Sequence, residues 1–178
     1  KEIDRLRGDS YHPTVALPTM YRVRQKFAGP RLADIPRGVR QALRVASLPI
    51  RRGDTVAVGA GSRGIANIDV VVRAAVDELK SQGARPFVFP AMGSHGGAAA
   101  EGQLSVLAHY GITEASMGCE VRASMDVVQV GEALGIPVWL DRIAAEADWI
   151  GLVNRVKPHT DFKGSIESGL FKMMTIGL

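Results

Sequence analysis

From Thr55 onward the chain alternates short continuous apolar runs with amphipathic helical stretches, and few architectures accommodate that rhythm. Thr55-Val56-Ala57-Val58-Gly59 reads as a strand buried on both faces. Asn67 is placed to cap a following helix whose Val72, Ala75, Val76 and Leu79 share one face, and Gly83 ends it. Pro86-Phe87-Val88-Phe89-Pro90 is the next strand. Ala98 to Tyr110 is a second helix, with Leu104, Leu107 and Ala108 facing inward and Gly111 as its stop. Two short strands are expected at Asp126 to Val130 and Ile136 to Leu140, then a brief helix from Arg142 to Ala147 and a last apolar strand from Trp149 to Val156. Parallel strands need a crossover between them, and buried strands need cover on both sides. The pattern therefore predicts an α/β fold with a mostly parallel sheet and helices on both faces, a Rossmann-like arrangement. In such sheets ligands bind beyond the carboxyl ends of the strands.

Upstream, Tyr21-Arg22-Val23-Arg24-Gln25-Lys26-Phe27 alternates like a half-buried strand, and Val39, Leu43 and Ala46 follow at helical spacing after the cap Asp34 and first-turn Pro36. Nothing in the sequence reads as an interdomain linker, so residues 1–178 are expected to form one domain. The apolar ending Phe171-Lys172-Met173-Met174-Thr175-Ile176-Gly177-Leu178 has no polar tail, which predicts that further chain, a C-terminal domain, normally follows and covers it.

Composition narrows the class. No apolar run approaches the roughly 20 residues of a membrane helix, and Lys1 to Ser10 lacks a signal-peptide core. The single cysteine, Cys119, excludes an internal disulfide and argues against a cysteine-ligated metal. A cytoplasmic location, without membrane partners, is the expectation. The net charge is +4, but the arginines are scattered and not interleaved with aromatics, unlike a nucleic-acid surface. Such a charge suits anionic small molecules better.

Three loops hold the unusual residues, each just past a strand. The first, Gly59-Ala60-Gly61-Ser62-Arg63-Gly64-Ile65-Ala66-Asn67, has glycines for close backbone approach, a helix N-terminus for anions, and Arg63 to grip a carboxylate. The second, Met92-Gly93-Ser94-His95-Gly96-Gly97, sets a histidine among small residues, where packing has little use for it and proton transfer has much. The third runs from Lys157-Pro158-His159 through Lys163, Ser168 and Gly169 to Lys172 and can hold an anion through backbone amides and lysine charge. Opposed across a pocket, His95 and His159 can remove a proton from one face of a substrate and deliver one to the other. His109, inside the second helix beside Tyr110, reads as a surface or packing residue, and His12 belongs to no constellation.

Together these loops resemble the N-terminal domain of the nickel-pincer lactate racemases and related 2-hydroxyacid racemases and epimerases, over roughly Val56 to the end. Gly93-Ser94-His95 is similar to the family's Gly-x-His loop, and Pro158-His159 with Phe162, Ser168-Gly169 and Lys172 is similar to its second histidine and lysine segment. The resemblance implies an isomerase acting on a 2-hydroxy acid, with His95 and His159 as the acid–base pair. Arg63 and Ser62 would lie at the substrate carboxylate. Lys172, flanked by Ser168 and Gly169, would carry a nickel pincer mononucleotide through a thioamide, with Lys163 as a rival for that role. The family's nickel-binding histidine lies beyond the lysine, so no metal ligand is expected in this chain. Two readings of other classes stand beside this one. One is a non-catalytic phosphate- or nucleotide-binding domain using the same loops. The other is a hydrolase built on Ser94 or a metal-bound water, which the lack of a nucleophile-elbow pattern and of nearby carboxylates disfavours.

Overall fold

In the computed structural model, strands β1 (Thr55–Ala60), β2 (Arg85–Pro90) and β5 (Trp149–Val153) pair in parallel in the order β2-β1-β5. The structure describes residues 19–26, 29, 31–62, 64–157, 161, 163–165 and 167–178. The registers Val56↔Pro86 and Val56↔Trp149 bring Ala60 level with Pro90 and Val153, so all three strands end at one edge. A polar clamp at the opposite edge holds β5 to β1. The Asp148 carboxylate accepts from the Thr55 amide and hydroxyl, each at 2.7 Å, and the Trp149 indole donates to Asp54 at 2.8 Å. The Thr55 amide first, and its hydroxyl second, hold the Asp148 carboxyl below the usual carboxylate range.

Alternation along the strands separates two apolar layers. Val56, Val58, Ala60 and Val88 face Ile68, Val72, Val76 and Leu79 of α2 (Ile68–Ser81), together with Leu107 of α3 (Ala100–His109) and Met117 of α4 (Glu114–Met117). Ala57, Phe87 and Phe89 face Ala144 of α5 (Arg142–Ala145) and, at its rim, Met173 of α6 (Leu170–Ile176). The sheet is thus covered on both sides, as its continuous apolar strands require. Helix α1 (Ile35–Ala46) is capped by Asp34, whose carboxylate accepts from the Arg37 amide at 2.9 Å, and packs on α2 through the Arg44–Glu78 ion pair at 2.8 Å.

Several expectations change. The segments around 126–130 and 136–140 do not join the parallel sheet. They form an antiparallel hairpin of their own, β3 (Val127–Ala133) and β4 (Ile136–Asp141). Its two-residue turn, Leu134-Gly135, has positive φ at both positions, the conformation that matches strand twist in a tight hairpin. The second helix begins later than expected, after a 3-10 turn at Gly96–Ala98. It buries Gln103 and Leu107 while Ala108 is exposed. Asn67 adopts φ +59° and makes no side-chain cap bond, so it turns the chain into α2 by its backbone instead.

The described residues up to Arg31 group apart from Leu32–Leu178. Tyr21 to Lys26 there are exposed and without regular structure, and Phe27 lies outside the described residues. An alternating pattern makes a strand only when a ladder partner and an apolar surface receive it, and the described residues supply neither. No helix among the described residues is long and apolar enough to cross a membrane.

Candidate active site

Because β1, β2 and β5 run parallel, the loops that leave them emerge on one edge, and there they enclose a cleft of about 570 Å³. Loop 1 contributes Gly61, Ser62, Gly64 and Ile65. Loop 2 contributes Ala91, Met92, Ser94 and His95. The chain after β5 contributes Asn154, Arg155, Lys157, Ser168 and Gly169, and α6 with its C-cap Gly177 contributes Lys172, Met173 and Ile176. Five residues expected at the site from sequence, Ser62, His95, Ser168, Gly169 and Lys172, therefore line one cavity, although they span 110 positions of the chain.

Backbone bonds fix the rim. The Gly61 amide reaches the Val153 carbonyl at 3.3 Å and the Ala91 amide reaches Ala60 at 2.9 Å, extending the ladder one step past the strands. Gly61 leaves room for Met173, whose methyl would lie 3.3 Å from an added Cβ. Gly93, at φ +58°, packs its Cα face on the Ile176 carbonyl and donates its amide to Gly177 at 3.3 Å. That contact joins loop 2 to α6, the helix that carries Lys172.

His95 is exposed to the cleft, and its Nδ1 hydrogen-bonds to the Ser62 hydroxyl. The partner is Ser62 and not the neighbouring Ser94, so His95 does not pair with Ser94 as its base. Lys172 is exposed and pairs with no carboxylate among the described residues. The described lining holds Arg155, Lys157, Lys172 and His95 and no aspartate or glutamate. A pocket with this lining favours an anionic ligand.

Other expected residues fall elsewhere. Lys163 is exposed and does not line the cleft. The N-terminal end of α2, at Asn67 and Ile68, is also outside the lining. His109 is exposed and set edge-on to the Tyr110 ring at 5.5 Å, in keeping with a packing role. Arg63 and His159 lie outside the described residues.

The sequence did not single out Arg155, Gln103 or Tyr110. Arg155 falls inside the strand expected to run to Val156; the strand ends at Val153, which leaves Arg155 two residues past it at the cleft. Gln103, only 4% exposed, donates to the Gly93 carbonyl at 2.7 Å, and the Tyr110 hydroxyl donates to the Ser62 carbonyl at 2.8 Å. No family model matches the chain, and no curated protein or solved structure is detectably similar to it.

Proposed function

We propose that this chain is the Rossmann-like, cofactor-bearing domain of a cytoplasmic racemase or epimerase of 2-hydroxy acids, similar to the nickel-pincer lactate racemases. What carries the reading is the convergence of His95, Ser62, Ser168, Gly169 and Lys172 on one cleft at the carboxyl edge of a parallel sheet. The sequence resemblance assigned roles to those same residues.

The residues present fit a lysine-tethered anionic nucleotide. Lys172 offers an amine without a carboxylate partner among the described residues, and Gly169 and Gly61 keep the adjacent walls low. Ser168 can donate to a phosphate, and the acid-free lining suits its charge. Among the described residues no three His, Cys, Asp or Glu side chains group to hold a metal, so Lys172, Ser168 and Gly169 are the residues that bear on the cofactor here. When bound, the pincer group supplies a reversible hydride acceptor. The chain's own residues do the rest. Arg63 holds the substrate carboxylate. His95 takes the hydroxyl proton of one enantiomer at Nε2, and His159 gives a proton to the keto oxygen as the other enantiomer forms, the two exchanging roles in the reverse direction. Met92, Met173 and Ile176 give the cleft an apolar wall beside the reacting centre.

The test is intact mass after expression with the cofactor-making enzymes, followed by racemisation of a panel of 2-hydroxy acids. A covalent increment should localise to Lys172, vanish in Lys172→Ala and persist in Lys163→Ala. His95→Ala and His159→Ala should each slow turnover by about a hundredfold or more. Arg63→Ala should mainly weaken substrate binding. The acid-free cationic lining also suits a phosphate- or nucleotide-binding module. That reading wins if an anionic ligand binds with unchanged affinity to His95→Ala and no adduct forms on Lys172.

A further inference from the structure

We infer that Ser62 is not a substrate ligand but the positioning residue for His95, and that helix α3 holds the pair in register through Tyr110 and Gln103. The inference rests on the acid–base role proposed for His95. An imidazole presents two nitrogens, and the partner of one decides what the other can do. Here Nδ1 is engaged by the Ser62 hydroxyl, which leaves Nε2 as the nitrogen available to a ligand. With Nδ1–H donating to Ser62, Nε2 is unprotonated and can accept a proton from the substrate hydroxyl. That transfer would give an imidazolium whose Nδ1–H keeps the same bond.

A serine can orient a histidine only if its own backbone is held, and loop 1 is poorly suited to hold itself, with glycine at 61 and 64. Outside anchors supply the stiffness. Tyr110, at the end of α3 and packed against the main core, donates its hydroxyl to the Ser62 carbonyl at 2.8 Å. Gln103, buried on the same helix, donates to the Gly93 carbonyl of loop 2 at 2.7 Å. The two anchors are seven residues apart, two turns of helix, and so project from one face. The loop 2 backbone also lies against the first turn of α3, where a Cβ on Gly96 would come within 2.5 Å of the Gly102 carbonyl carbon. One rigid element thereby sets the positions of both loops that meet at the Ser62–His95 bond.

The experiment compares the cofactor-loaded wild-type protein with Ser62→Ala, Ser62→Thr and Tyr110→Phe, by steady-state kinetics over pH and by nitrogen NMR of the His95 ring. For Ser62→Ala we expect kcat to fall roughly ten- to hundredfold, the usual scale for removing an outer partner of a functional histidine, with KM nearly unchanged. The limb of the pH profile belonging to His95 should move, and its Nδ1 resonance should shift. Ser62→Thr keeps the hydroxyl and should restore most of the rate. Tyr110→Phe keeps the ring and should give a smaller change in the same direction. A raised KM with unchanged kcat and unchanged His95 resonances would overturn the inference and return Ser62 to the substrate. A shifted Nδ1 resonance in a protein that racemises nothing would support the Ser62–His95 pairing while refuting the proposed reaction.

Discussion

Two glycines of loop 2 separate the cost of a backbone conformation from the cost of a contact. Gly93 and Gly97 both have positive φ, +58° and +71°. A methyl group on Gly97 would meet nothing within 4 Å, whereas one on Gly93 would overlap the Ile176 carbonyl oxygen at the end of α6. Gly97→Ala should therefore lose only the left-handed penalty, about 1–2 kcal/mol. Gly93→Ala should lose that plus an overpacking cost of about 1–3 kcal/mol, because its obstacle is backbone and not a flexible side chain. Its total of about 2–5 kcal/mol is a large part of the roughly 5–15 kcal/mol that holds a domain folded. Urea unfolding followed by tryptophan fluorescence measures both losses. Because α6 must move to admit the methyl, Gly93→Ala should also impair the Lys172 adduct, and Gly97→Ala should leave it intact. Equal losses in the two variants would refute the claim that Gly93 bolts loop 2 to α6.

Two further outcomes test the scaffold. The Glu78 carboxylate, only 2% exposed, is held below the usual carboxylate range first by the Arg44 hydrogen bonds, against the opposing effect of burial. A lowered folded-state pKa contributes stability above the unfolded value near 4.3, and that contribution is lost as pH falls through the folded value. Arg44→Ala should then depress the urea midpoint clearly at pH 7 and much less at pH 3, and an equal effect at both pH values would contradict the assignment. Phe89, fully buried between Ala57, Ala91 and Ala144, should cost about 3–5 kcal/mol as Phe89→Ala in the same urea assay, and a loss below 1 kcal/mol would show that this layer is not packed as described.

The parallel sheet was legible because its strands carry their environment in their composition. Val56 to Gly59 and Phe87 to Phe89 are apolar without interruption, which only a strand covered on both faces tolerates. The α2 face was legible for the complementary reason, since Val72, Ala75, Val76 and Leu79 recur at helical spacing and are all buried. The β3–β4 hairpin was not. Its turn is Leu134-Gly135, and leucine at positive φ gives none of the Asn-Gly or Asp-Gly signal by which such turns are recognised. Val127, Val130, Ile136 and Val138 look like core residues in sequence yet are exposed in the hairpin. Propensity made them strands, and only pairing could say with what.

The site divides along the same line. Residues that do chemistry announce themselves by being out of place: a histidine among glycines, a lysine after Ser-Gly. Residues that hold them do not, because a glutamine and a tyrosine in a helix are unremarkable until the fold shows what they reach. Gln103 breaks the apolar face of α3 at a position that is buried, and that breach was the one trace in the sequence of a helix serving a loop. Burying an amide costs more than a hydrogen bond returns unless a partner is waiting. The Gly93 carbonyl is that partner, and it belongs to the loop that presents His95. An inward-facing polar residue on the helix following a suspected catalytic loop is therefore a place to look for what fixes the loop.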